Sequence, residues 1–172
     1  MNLKLNGKIS RSIFIKKASM ENAEEILELQ KLAYVSEAEI IDDFSIPPLH
    51  QTRKEIRSEF HHQIFLKVEL GNQIIGSVRT YLEKGTGYIG KLIVHPNHQN
   101  LGIGKRLLHA AEKLFPDADR YELFTGQKSE KNLYIYKKNG YQVFKVKKVS
   151  EKLSLVFLEK ISLKPSAAKT VN

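Results

Sequence analysis

Apolar residues recur at helical spacing across residues 20–34, where Ala23, Ile26, Leu27, Leu29 and Ala33 fall near one face. Ser19 can cap that helix, and Glu21 and Glu24 suit its positive N-terminal end. An irregular stretch follows over 42–51, where the Pro47–Pro48 pair forbids a continuous helix. Thr52 predicts the cap of a short helix to Phe60. Residues 64–70 and 73–82 read as strands, joined by Gly71–Asn72, which supplies the positive φ of a tight hairpin. Gly85-Thr86-Gly87 predicts a second turn, then a strand over 88–94 and a helix over 102–115. A strand at 121–125 precedes a helix over 129–138 that closes on Asn139–Gly140, a left-handed cap. Strands over 141–147 and 153–163 finish the chain, as a short strand over 11–17 opens it.

The order β-α-α-β-β-β-α-β-α-β-β predicts an α/β (α+β) fold, a mixed central sheet of about seven strands flanked by about four helices. With 172 residues, one domain over 1–163 is expected, followed by a Pro/Ser/Ala/Lys-rich disordered tail over 164–172. Hydrophobic residues make up 41% and charged residues 27%, as in globular proteins. No apolar run approaches the ~20 residues of a membrane span. The first ten residues lack a signal-peptide core, which points to the cytoplasm. Cysteine is absent, excluding disulfides, thiolate metal sites and cysteine nucleophiles. The histidines show no ligand-like pairing with carboxylates, and the adjacent His61 and His62 would point apart on a strand, so no metal is expected. A net charge of +9 favours anionic partners, although lysines such as Lys137, Lys138, Lys145, Lys147 and Lys148 also suit a solvated face.

The chemistry concentrates in residues 88–115, a buried strand running through a loop into a helix. Gly102 and Gly104 sit where the helix begins, letting backbone approach a ligand while first-turn amides point outward. Those amides and the helix dipole suit a phosphate. Lys105 and Arg106 oppose the dipole, a placement that a bound polyphosphate would make favourable. A Walker loop needs Gly at 99 and Ser or Thr at 106, where Gln99 and Arg106 stand. A dinucleotide fingerprint needs a glycine at 107, which is Leu107.

The run Gln99-Asn100-Leu101-Gly102-Ile103-Gly104 resembles the Q/R-x-x-G-x-G/A pyrophosphate loop of the GNAT family, the Gcn5-related N-acetyltransferases. Leu92-Ile93-Val94-His95-Pro96 is similar to the strand and turn before that loop. Residues 129–141, with Leu133-Tyr134-Ile135-Tyr136-Lys137-Lys138-Asn139-Gly140-Tyr141, resemble the family's second motif. The resemblance implies direct acyl transfer from acetyl-CoA to a primary amine of a small molecule, peptide or protein. It implies that Leu92, Ile93 and Val94 pair with the pantetheine through backbone, the Leu92 N–H polarising the thioester carbonyl. Gln99, Asn100, Leu101, Gly102, Ile103, Gly104 and Lys105 would form the pyrophosphate loop, Gln99 replacing the commoner arginine. Ser129 and Asn132 would touch the cofactor, although Ser129 also makes a good helix cap. Tyr136 would protonate the departing thiolate, a phenol being protonated near neutral pH.

The resemblance leaves the general base open, since 88–91 reads Tyr-Ile-Gly-Lys with no carboxylate; water, Glu83, Asp42 and Asp43 are the candidates. The 42–51 loop is the expected acceptor site, Asp42 and Asp43 attracting an amine and Phe44, Ile46, Pro47 and Leu49 forming an apolar wall. A catalytically idle acyl-CoA-binding sensor is the alternative. No nucleic acid or membrane partner is expected, because Tyr134, Tyr136 and Tyr141 belong to the helix–strand motif. Between monomer and homodimer the sequence does not choose.

Overall fold

The computed structural model describes residues 13–162; the 164–172 tail and the first residues of the predicted opening strand lie outside them. Strands β1 (Ile15–Lys17), β2 (Ile64–Leu70), β3 (Gln73–Glu83), β4 (Thr86–Val94), β5 (Arg120–Gly126), β6 (Gln142–Lys148) and β7 (Ser154–Ile161) form one sheet in the order β1-β2-β3-β4-β5-β7-β6. Only β4 and β5 pair in parallel, so the sheet is mixed as predicted. Gly71, at φ 61, makes the first hairpin. The second turn falls on Lys84 (φ 46) and Gly85 (φ 78), two residues earlier than Gly87 suggests. Gly87 lies within β4 instead, where a Cβ would come within 2.8 Å of the Tyr121 ring.

Among the described residues five α-helices flank the sheet: α1 (Ala23–Ile41), α2 (Pro47–His50), α3 (Arg53–Glu59), α4 (Ile103–Lys113) and α5 (Glu130–Lys138). The additional one, α2, is a single turn with proline at its first positions, where a missing N–H costs nothing. Helix α1 runs past Tyr34 to Ile41, because nothing before Asp42 breaks it; Asp42 closes it in the left-handed conformation. His61 and His62 occupy the turn between α3 and β2, not a strand.

Two cores result. On one face, Ile103, Leu107, Leu108 and Ala111 of α4 are buried with Val78, Ile89, Tyr121, Leu123 and Leu158. Each such aliphatic side chain contributes roughly 1.5–3 kcal/mol. The helix sits tight on β3, since a Cβ at Gly76 would lie 3.1 Å from both Ile103 and Leu107. On the other face, Ala23, Ile26, Leu27 and Leu29 of α1 pack with Ile56, Phe65 and Ile74. The two packings hold β4 by both faces and fix the start of α4 beside its end.

Candidate active site

The parallel pairing of β4 with β5 stops at Tyr88↔Glu122, yet β4 follows β3 to Val94 and β5 follows β7 to Gly126. From Ile89 onward the edge of β4 that faces β5 therefore has no strand partner, and the sheet opens at its centre. Within this stretch Lys91 and Leu92 stand opposite the single Val78, a β-bulge with Lys91 at φ 48. A bulge leaves its extra residue out of the ladder, so main-chain hydrogen-bonding capacity is freed here.

At the end of β4, Asn100 (φ 63) and Gly102 (φ 77) wind the chain into α4. A Cβ at Gly102 would meet nothing within 4 Å, and one at Gly104 only Val94 at 3.8 Å, so the space over the turn is open. Gln99 donates to the Val94 carbonyl (3.3 Å) and accepts from Lys131 Nζ of α5 (2.8 Å). Lys131 thus brings to the loop the cation that glutamine lacks. Lys105 is exposed, whereas Arg106 donates to the Ile13 carbonyl at 2.6 Å and so also anchors the chain before β1. Replacing Lys131 with alanine is expected to weaken the binding of a polyphosphate ligand at this loop by about three- to tenfold, an effect shrinking with added salt. Binding titrations at two ionic strengths check this.

Across the gap, Tyr136 of α5 is buried, its ring 6.2 Å from that of Tyr141. Burial raises its hydroxyl pKa well above the usual phenol range, with Tyr34 and Glu37 adding to the effect. Glu37 accepts hydrogen bonds from Ser129 Oγ and from Asn132 Nδ2 (3.0 Å), and Asn132 also reaches Thr125 Oγ1 at 3.4 Å. Ser129 and Asn132 thus face α1 in this structure. One turn before Glu37, Tyr34 is pushed up to about 12, first by burial and then by Glu37. Lys91 Nζ lies 5.7 Å from the Tyr34 ring centroid and is pushed down to about 8 by burial and by Arg79.

The 42–51 segment is placed by different chemistry from that expected. Asp42 is ion-paired with Lys152 at 2.9 Å, and Asp43 accepts from Ser45 Oγ (2.6 Å) and N (2.9 Å), bonds that lower its pKa. Ile46 is buried against Ala38 and Ile41, with Leu49 packed on them, while Phe44 and Pro47 are exposed. Glu83 ends β3 at the turn, beyond the closed end of the β4–β5 pair. A buried polar knot holds the segment down: Gln30 of α1 donates to the Pro48 carbonyl (2.7 Å) and to Gln51 (3.0 Å). Arg79 of β3 donates to Gln30, Gln51 and Glu59.

The sequence profile of the Acetyltransferase (GNAT) family matches residues 23–141. The chain belongs to this family. It is 32% identical over 135 residues to UPF0157 protein YqkA of Bacillus subtilis (strain 168), covering 77% of this chain and 38% of that protein, so it spans well under half of that relative. Its fold matches that of PaiA N-acetyltransferase from Thermoplasma acidophilum, crystallised with coenzyme A, at a TM-score of 0.74 and 20% identity. That match covers 87% of this chain and 99% of the other. Ribosomal-protein-S18-alanine N-acetyltransferase from Escherichia coli matches at a TM-score of 0.73 and 11% identity, covering 90% and 97%.

In this GNAT chain the open sheet, the freed β4 backbone and the clear space above Gly102 suit the binding of coenzyme A. Sequence reasoning missed Tyr34, Glu37, Arg79 and Lys91, the charged and phenolic groups around the opening. One signal was present: Gln30, Tyr34, Glu37 and Ile41 recur at helical spacing on one continuous helix. A hollow of about 440 Å³ lined by Lys17, Ser19, His61 and His62 shares no residue with this site.

Proposed function

We propose that this chain transfers an acetyl group from acetyl-CoA directly to a primary amine of a small molecule or peptide. The observation that carries this reading is the parting of β4 from β5 beside a bulge and a buried phenol. Leu92, Ile93 and Val94 would hold the pantetheine arm through backbone, and Gln99, the amides of residues 101–105 and Lys131 the pyrophosphate. Acetyl-CoA, when bound, supplies an acyl group already activated as a thioester. The Leu92 N–H acts as a fixed dipole toward the oxygen that gains negative charge. Tyr136 Oη gives its proton to the leaving sulfur, and burial keeps that proton in place beforehand. Glu37, held by two neutral donors, takes up the proton that the amine loses.

Thiol release from acetyl-CoA across polyamines, amino acids, aminoglycosides and peptide N-termini tests the reading. At least one class is expected to give amine-dependent turnover. Tight acetyl-CoA binding with no thiol release from any amine would establish the sensor instead.

A further inference from the structure

Two opposite charges at the opening have no ionic partner. Glu37 takes hydrogen bonds only from the neutral Ser129 and Asn132, and it belongs to no ion pair among the described residues. Lys91 likewise has none; the carboxylate that acts on it, Glu59, is already taken by Arg79 and Gln51. Glu37, one helical turn after Tyr34 on α1, and Lys91, with Nζ 5.7 Å from the Tyr34 ring centroid, do not pair with each other. Both are partly buried, where an uncompensated charge is costly. Such a separated pair is matched by a ligand carrying both charges in the opposite sense.

Resting on the acetyl-transfer reading, we propose that the acceptor is an amine bearing its own carboxylate, an α-amino acid, with Glu37 receiving the ammonium and Lys91 the carboxylate. Lys91 is well placed for this, since its backbone forms the bulge next to Leu92 while its side chain extends to α1. Arg79, buried nearby and cationic, adds positive potential on the same side. Although burial and Arg79 push Lys91 down to about 8, it remains largely cationic at neutral pH. The groups facing it are Tyr34 from α1, Arg79 from β3 and Glu59 from α3. A polyamine would set a second ammonium against Lys91 and Arg79, a like-charge cost that excludes it from the same pose.

Calorimetric titration of the coenzyme A-loaded protein tests this with alanine, leucine and phenylalanine, each against its decarboxylated amine, and with spermidine. At least one amino acid is expected to bind about tenfold or more tightly than its amine. Lys91→Glu should erase or reverse that ratio and Lys91→Gln should reduce it, with coenzyme A affinity unchanged in both as a check on folding. Glu37→Gln should weaken amino acid and amine alike. Equal or tighter binding of the amines or spermidine, no saturable binding of any amino acid, or an unchanged ratio in Lys91→Glu would overturn the proposal. The two readings fail separately. Turnover on polyamines without amino-acid preference sinks this one alone, while amino-acid binding without thiol release sinks acetyl transfer.

Discussion

Replacing Tyr136 with phenylalanine is expected to lower kcat by about 10²–10³-fold, the range lost when a positioned proton donor is removed. The KM for acetyl-CoA should stay within about threefold, because the proposed cofactor contacts come from β4 backbone and the α4 turn. Stability should hardly move, since the ring remains packed beside Tyr141 and no hydrogen bond contributes to the perturbation of the hydroxyl. Burial raises the cost of both the phenolate and the departing thiolate, so the donor and the group it protonates stay matched. The sign of the pH dependence follows. A general acid works while protonated, and a pKa raised above 10 keeps Tyr136 protonated through pH 9. The wild-type rate should therefore show no alkaline loss from this group below pH 9. Steady-state kinetics of both proteins from pH 6 to 9 decide the matter; a Tyr136→Phe rate within about threefold of wild type removes Tyr136 as the donor.

The turn at Gly102 and the run from α5 into β6 were legible because local backbone chemistry forms them. Gly102 is needed where the chain turns at φ 77, and Leu133 to Tyr141 carries a capped helix into a strand within a few residues. The full length of α1 and the β4 bulge, which place Glu37 and Lys91, were not, and for two physical reasons. First, α1 changes partners along its length: Ile26 and Leu29 belong to the core over β3, but Ala38 and Ile41 belong to a separate cluster with Ile46. Exposed Val35 and Ile40 blur the apolar stripe at the crossover, so the pattern alone stops at Tyr34 and loses Glu37. Second, the bulge depends on a lysine at positive φ, imposed by strand pairing with no local signal. Asp42 and Asp43 looked free in sequence because their partners, Lys152 and Ser45, follow from tertiary and turn geometry.

Exchanging Arg79 for methionine should have the largest effect on stability, a loss of about 2–4 kcal/mol. Arg79 is 2% exposed and satisfies Glu59, Gln30 and Gln51 together. Methionine fills similar volume and removes the buried unpaired Nε, so packing is largely kept. What remains is a Glu59 carboxylate without its cation and a Gln30 amide oxygen without a donor, while Gln51 Oε1 keeps the hydrogen bond from Gln30 Nε2. Breaking a buried ion pair from one side costs about 3–5 kcal/mol. The Glu59 side chain is 29% exposed, and water can recover part of that cost. Gln51 also still donates to it. Adding Glu59→Leu to the methionine variant should restore part of the stability, since the carboxylate stranded by the loss of Arg79 is then gone. The same knot ties Pro48 and Gln51 to β3, so Arg79→Met should raise the KM for the acceptor more than that for acetyl-CoA. Urea unfolding of the single and double variants measures the first effect, and paired KM values the second. A double variant no more stable than the single one would mean that the stranded carboxylate is not the source of the loss.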